Sequence, residues 1–176
     1  MAVETRDPYL NVDNETSTRG FLEFANRIQT DAVLSDVVRT WIVPGRSNQD
    51  LIDQLGDNPA LITLEQCPCV ELWPQPRDGQ LWANVLQKST LEIRIRIFLA
   101  GNRPLSAINL WGLVQKAVYP QDASISQQLR AALGAIGFNG EPALLSQPTI
   151  TIEQKGERLR TRADGAISAS YRIRGY

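Results

Sequence analysis

The sequence contains no histidine among its 176 residues, and this absence excludes the commonest catalytic arrangements. Histidine is the usual general base near neutral pH, and it completes the Ser-His and Cys-His pairs of nucleophilic enzymes. The motifs G-x-x-x-x-G-K-[ST], G-x-G-x-x-G and G-x-S-x-G are missing as well. We therefore predict that the protein is not an enzyme and holds no cofactor.

Cysteine is scarce, and the two cysteines, Cys67 and Cys69, flank Pro68. A closed zinc site has four ligands, so this pair would need acidic residues to complete one. The alternative is a structural role, with the two thiols on opposite faces of a strand and one of them buried. We favour the structural role and predict no metal site.

Long apolar runs are also missing, and none approaches the roughly 18 residues that a membrane helix requires. The N-terminal residues lack the basic and apolar regions of a secretory signal. We expect neither a membrane span nor a signal peptide. A length of 176 residues with 43% hydrophobic residues is typical of one globular domain.

Charge is balanced overall, at −1, but not along the chain. Residues 1–90 carry 13 acids and 7 bases, a net charge of −6, whereas residues 91–176 carry 6 acids and 11 bases, a net charge of +5. Arginine accounts for 15 of the 18 bases, and its guanidinium suits paired contacts with carboxylate or phosphate. A chain with one acidic and one basic half can complement its own copies, head to tail.

Hydrophobic periodicity predicts a polar arm over residues 1–19, followed by one domain over 20–176. The predicted helices cover residues 20–42, 47–55, 104–119 and 123–136, and the first becomes two short helices if Asp31 caps a second segment. The predicted strands cover residues 60–66, 69–75, 80–99, 144–154 and 158–175. Because helices and strands are segregated, we expect an α+β fold: an antiparallel or mixed sheet with amphipathic helices packed on one face.

Glycine-containing pairs predict where the strands break. A turn is expected over 76–79, with Trp73 and Trp82 facing each other across it. Another turn is expected over 155–157, and the Asp-Gly pair at 164–165 predicts a bulge or a second hairpin turn.

The third predicted helix begins at Pro104, whose fixed φ suits a first helical turn. It has an apolar side that we expect to pack on the sheet. That side is predicted to consist of Leu105, Ala107, Ile108, Trp111, Val114 (or Gln115) and Val118.

The stretch LEIRIRIFLAGNRP (residues 91–104) alternates apolar and charged residues, so each kind lies on its own face of a strand. Its odd-numbered residues, from Leu91 to Leu99, are predicted to lie beneath the helices. The other face is the candidate functional site, which we call the arginine face. It is predicted to carry Arg94, Arg96, Arg158, Arg160, Arg162, Arg172 and Arg174. Such a face is either simply solvated or meets an acidic surface or a polyanion.

The long stretch LEIRIRIFLAGNRPLSAINLWGLVQKAVYP, with the terminal RIRGY, carries a resemblance. An N-terminal amphipathic helix leads through a connector into strands, an alternating strand passes straight into a helix, and an arginine-rich strand ends the chain. Over roughly residues 20–175 this layout resembles the tail-terminator proteins of long-tailed bacteriophages, the minor tail protein U type.

The resemblance implies a structural virion protein of the phage tail or neck. Such proteins form a hexameric ring that caps the tail tube, ends its polymerisation and joins the tail to the head connector. The implied partners are further copies of the chain, the tail tube protein and the connector protein, with DNA passing through the lumen without specific recognition. The arginine face would then lie on a subunit contact or on the lumen, and we favour the contact.

Two other functions stay open from the sequence. One is another head-tail joining or neck protein, which would share the same architecture. The other is an arginine-rich nucleic-acid-binding module, although a pI near 5.5 and a single aromatic residue, Phe98, on the arginine face are atypical of such modules.

Overall fold

The computed structural model describes residues 16–46, 52–53, 58, 61–83, 86–118 and 144–174. Only the backbone is described at Thr16, Ser17, Arg19, Glu23, 76–83, 86–90, Leu144 and 169–174. The predicted helix over 123–136, most of the predicted helix over 47–55 and the first 15 residues of the predicted arm lie outside the described residues.

The described residues form three helices and six strands, in an α+β fold as predicted. The helices are α1 (Thr16–Gln29), α2 (Ala32–Val37) and α3 (Pro104–Val118). The strands are β1 (Thr40–Ile42), β2 (Cys69–Ala83), β3 (Leu86–Ala100), β4 (Leu144–Leu145), β5 (Thr149–Lys155) and β6 (Arg158–Arg174).

The six strands form one mixed sheet in the order β1-β2-β3-β6-β4, with β5 also paired to β6. β1 runs parallel to β2, and every other described pair is antiparallel. The three central strands, β2, β3 and β6, contain 15, 15 and 17 residues. Alternating β-branched and arginine residues in β3 suit this position, because each face of the strand packs against a different environment.

The main core lies between the three helices and one face of the sheet. The side chains from Leu91 to Leu99 at odd-numbered positions of β3 are all buried in it, as predicted. Helix α1 contributes the stripe Phe21, Phe24, Ala25 and Ile28, at helical spacing. The helices therefore cover one face, and the arginine face is the other.

The N-terminal helical region is two short helices, the second of the two predicted alternatives. Asp31 caps α2 by accepting hydrogen bonds from the backbone N–H of Val33 and Leu34, at 3.1 and 2.9 Å. The prediction nevertheless extended this helical region too far, to residue 42, whereas α2 ends at Val37. Residues 40–42 are strand β1, because the backbone N–H groups before and at Thr40 donate to the Pro68 carbonyl and lead the chain into the sheet. The start is also earlier than predicted, since α1 includes residues 16–19 of the expected arm.

The predicted strand over 60–66 is wrong. Residues 64–66 form a short 3₁₀ turn, and the backbone N–H of Thr63 donates to the side-chain oxygen of Gln66 at 2.8 Å. This local capping arrangement satisfies the backbone without a strand partner.

The predicted turn over 76–79 is also wrong. β2 continues to Ala83, and the pairing register with β3 shifts between Arg77 and Gln80, so the Asp-Gly pair occupies an irregularity in a long hairpin. Trp73 and Trp82 accordingly lie on the same strand and do not face each other across a turn.

The segment 144–154 forms two strands, β4 and β5, instead of the single predicted strand. The predicted turn over 155–157 is confirmed in position: β5 ends at Lys155, β6 begins at Arg158, and Gly156 has a φ of 63°. That conformation is one that glycine adopts without strain.

The expected break at 164–165 is absent, because β6 pairs with β3 in one unbroken register from Arg160 to Arg174. Gly165 lies directly beneath the indole of Trp111, and a Cβ there would come within 2.7 Å of the ring carbon Cζ2. The glycine therefore makes room for a helix side chain and does not mark a turn.

Helix α3 packs on the sheet through a stripe that contains four of the six predicted residues. Its buried residues are Ala107, Leu110, Trp111, Val114, Ala117 and Val118. Leu105 and Ile108, which were expected in this stripe, are 80% and 53% exposed. These two were misplaced because periodicity alone does not show where the edge of the buried side of an apolar helix lies.

Candidate functional site

Strand pairing brings charged side chains from four strands together on the arginine face. Arg96 of β3 lies between Glu71 of β2 and Asp164 of β6 in the hydrogen-bonding register. In the same way, Arg160 of β6 lies opposite Glu153 of β5. Because side chains at paired positions project from the same face, these residues become neighbours although they are distant in sequence.

Seven of these side chains form a continuous row of alternating charge, which we call the arginine ladder. In order across the sheet, it consists of Arg94, Glu71, Arg96, Asp164, Arg162, Glu153 and Arg160. The successive nitrogen–oxygen distances are 3.9, 3.1, 3.2, 2.6, 2.7 and 2.6 Å. Each carboxylate thus lies between two guanidinium groups.

Close to each end of the ladder one charged side chain is almost completely withdrawn from water, and the surroundings of the two differ. Glu71 is 1% exposed, and the guanidinium of Arg96 donates to it. At the other end Arg160 is 3% exposed, donates to the Ile62 carbonyl at 2.7 Å and stacks on the ring of Phe98 at 4.8 Å. Such buried charges are tolerable because each is paired and hydrogen-bonded.

A second, smaller apolar cluster covers part of the arginine face. It consists of Ile42, Ile52, Ile62, Cys67, Cys69 and Phe98. Both cysteines are free and buried in this one cluster, so the expectation of opposite faces with a single buried thiol is wrong. Cys67 precedes β2, and both side chains turn into the same apolar space.

Burial gives the Cys69 thiol a testable pH signature. Desolvation, with help from Cys67 and Glu71, raises the pKa of Cys69 to about 12, from an ordinary value of 9.0. The folded state therefore favours the neutral thiol. Its contribution to stability is fully present below pH 9 and is lost as the pH rises towards 12, because the unfolded chain ionises first.

We expect urea unfolding to show this loss as a free energy of unfolding that falls by up to about 1.4 kcal/mol per pH unit above 9. The control is Cys69→Ala, which removes the titrating thiol and should show a shallower decline over the same pH range. Equal slopes for the two proteins would contradict the assignment.

The structure places the seven predicted arginines in three groups. Arg94, Arg96, Arg160 and Arg162 are brought together in the ladder. Arg158 is exposed at the start of β6. Arg172 and Arg174 occupy register positions opposite Lys88 and Leu86 of β3, and their side chains lie outside the description.

Sequence reasoning missed Glu71 and Asp164 as partners of the arginines. Glu71 had a usable signal, since it is the one acid in the otherwise apolar run CVELW. A lone carboxylate in a buried strand requires a cation, and Arg96 is the cation that strand pairing supplies. Asp164 was assigned to a bulge or a hairpin turn, which hid its place in the ladder.

The ladder is chemically a nearly neutral, rigid surface. Four guanidinium groups face three carboxylates, so the row carries a net charge of about +1. A polyanion approaching this row would have to compete with internal carboxylates that are already in contact. This arrangement disfavours the nucleic-acid-binding alternative and suits a structural face.

Two grooves flank α3 on the opposite side of the sheet, and sequence reasoning missed both. One, of about 390 Å³, lies between α3 and the region of α2 and includes Val37, Pro68 and Arg103. The other, of about 430 Å³, lies between α3 and the segment from β4 to β5. The second groove is lined by Ile108, Trp111, Gly112, Gln115, Leu145, Ser146, Gln147, Pro148 and Ile150.

Within the described ranges, no group of three or more Cys, Asp and Glu side chains could hold a metal ion. No helix in that part of the chain is long and apolar enough to cross a membrane. Neither a scan against protein-family models nor a search of curated proteins finds a match for this sequence. Function therefore has to be argued from the geometry and from the resemblance.

Proposed function

We propose that this protein is a structural component of a phage virion, a tail terminator. In this role several copies, six by the resemblance, form a ring that caps the tail tube, ends its polymerisation and joins the tail to the head connector. Its partners are other copies of the chain, the tail tube protein and the connector protein. Another head-tail joining role would use the same ring architecture.

The observation that carries the proposal is the junction between β3 and α3, the part of the chain on which the resemblance rests. The hydroxyl of Thr161 donates to the Gly101 carbonyl and accepts from the Arg103 N–H, both at 2.7 Å, and the Gly101 N–H donates to the Leu159 carbonyl at 2.7 Å. These bonds fasten the strand-to-helix connection to β6. A rigid junction of this kind suits a ring subunit, whose contacts must repeat at a fixed angle.

Charge distribution supports the same proposal. A closed ring needs two different, complementary patches on each subunit, and the net charges of −6 and +5 in the two halves of the sequence supply opposite signs.

The ladder bears on where the arginine face lies in such a ring. A lumen lined by unpaired arginine would hold DNA and hinder its exit, which is why the sequence favoured a subunit contact. Since carboxylates neutralise most of the ladder, that objection is weaker. We therefore assign the solvent-accessible part of the arginine ladder to the lumen, where DNA would pass a wall of low net charge.

Native mass spectrometry combined with negative-stain imaging tests the proposal. We expect a six-fold species with a central hole to appear as the protein concentration is raised. If the protein stays monomeric, the test moves to growing tail tubes, because a tube end can act as the template for the ring. Tubes that continue to lengthen with the protein present would contradict the proposal, and so would a compact dimer with no hole.

A further inference from the structure

Helix α2 presents an apolar surface to solvent. Val33 and Val37, four residues apart on one side of the helix, are 51% and 43% exposed, whereas Leu34 between them is buried. The segment from Asp31 to Asp36 carries two acids and no base. A short helix held by one buried side chain thus offers a small apolar ridge with a negative rim.

The groove between α3 and the β4–β5 segment is a matching hollow. Its lining includes Ile108, Trp111 and Ile150 and contains no charged residue. Gly112 leaves it open, since a Cβ at this position would meet no atom within 4 Å. One turn further along α3, Lys116 supplies an exposed positive charge, and α3 contains no acid.

The ridge and the groove lie on opposite sides of α3. Val37 lines the first groove on one side of α3, whereas the second groove lies on the other side, beside the β4–β5 segment. They are therefore two different patches of one subunit, which is what a head-to-tail contact between copies requires.

We infer that α2 of one copy docks into the groove between α3 and the β4–β5 segment of a second copy. Val33 and Val37 fill the apolar hollow over Gly112, and Asp36 comes next to Lys116 of the second copy. The occupant is a second copy because its ridge matches the groove in both apolar character and charge. This inference rests on the proposed function and names the surfaces through which the ring would close.

Gly112→Glu tests the groove without disturbing the fold. The new side chain enters open space, replaces a helix-weakening glycine and lies four residues before Lys116, so the monomer should fold at least as well. In the assembly it fills the groove and repels Asp36. We expect self-association, measured by sedimentation velocity, to weaken at least about thirtyfold. Gly112→Ala is the matched control and should associate more nearly like the unchanged protein.

Val33→Glu tests the ridge in the same way, since Val33 is exposed and an acid suits the first turn of a helix. Each variant alone should remain monomeric. An equimolar mixture should form a 1:1 complex that grows no further, because the Gly112→Glu copy keeps its ridge and the Val33→Glu copy keeps its groove. An isologous contact, in which both copies use the same surface, would not give a 1:1 complex only in the mixture.

Two outcomes would overturn the inference. One is a Gly112→Glu protein that still assembles like the unchanged protein, which would leave the proposed ring intact but place its contact elsewhere. The other is an unchanged protein that stays monomeric at every concentration, which would rule out this contact in solution. The tail-tube assay would then decide separately whether the proposed function also fails.

Discussion

Replacing Arg96 with methionine is expected to lower the free energy of unfolding by about 3–5 kcal/mol. The guanidinium of Arg96 lies 3.1 Å from Glu71, which is 1% exposed, and 3.2 Å from Asp164. Methionine keeps the apolar stem but removes a guanidinium that donates to the buried carboxylate of Glu71, and the guanidinium of Arg94 lies farther away, at 3.9 Å. The loss is large because a buried charge that loses a hydrogen-bonded partner cannot recover its hydration inside the protein.

Urea unfolding at neutral pH measures this loss, and Arg158→Met is the matched control. Arg158 lies on β6, like Arg160 and Arg162 of the ladder, but its side chain is exposed. Its replacement should therefore change the free energy of unfolding by no more than about 0.5 kcal/mol. Adding Glu71→Leu to Arg96→Met removes the buried charge itself and should recover much of the loss. Equal effects of Arg96→Met and Arg158→Met would show that the ladder contributes nothing to stability.

Gly165→Ala is expected to lower the free energy of unfolding by about 1–3 kcal/mol, although alanine is well tolerated in most strands. The added Cβ would lie 2.7 Å from Cζ2 of Trp111 and 2.8 Å from the Ser146 hydroxyl. Ser146 cannot easily move away, since it exchanges two hydrogen bonds with the backbone of Ala166, at 2.8 and 2.9 Å. The indole is buried in the main core, so relief requires a shift of α3.

A double-mutant cycle with Trp111→Leu identifies the cause. If the clash with the indole is responsible, Gly165→Ala should cost much less in the Trp111→Leu background, giving a coupling energy of about 0.5–3 kcal/mol. Additive effects would show that the alanine acts elsewhere. Gly112→Ala serves as a further control, because its Cβ meets nothing and the change should stabilise α3 by up to about 1 kcal/mol.

Local patterns predicted the elements whose signals are complete within a few residues. The alternation from Leu91 to Leu99 identified a strand and assigned its two faces correctly. Pro104 marked the first residue of α3, and the turn over 155–157 was placed correctly. The α+β class followed from the order of these elements.

The two wrong turn predictions share one cause, which is that a strong local signal was overridden by long-range strand pairing. The Asp-Gly pairs at 78–79 and 164–165 both favour turns in isolation. In the fold, β6 pairs with β3 straight through 164–165, whereas β2 pairs with β3 on either side of 78–79, and in both places long-range strand pairing outweighs the local turn preference. At Gly165 the decisive neighbour is Trp111, which the sequence around the glycine does not reveal.

The same distinction between local sequence signals and long-range pairing applies to the candidate site. The sequence by itself determined that Arg94 and Arg96 share one face of a strand, because a strand repeats every two residues. Only the tertiary structure decided that Glu71 and Asp164 lie on either side of Arg96, since the side-by-side order of β2, β3 and β6 depends on long-range pairing. The arginine-rich sequence therefore predicted a charged surface. The order of the strands places carboxylates between the arginines, so that most of this charge is neutralised within the protein.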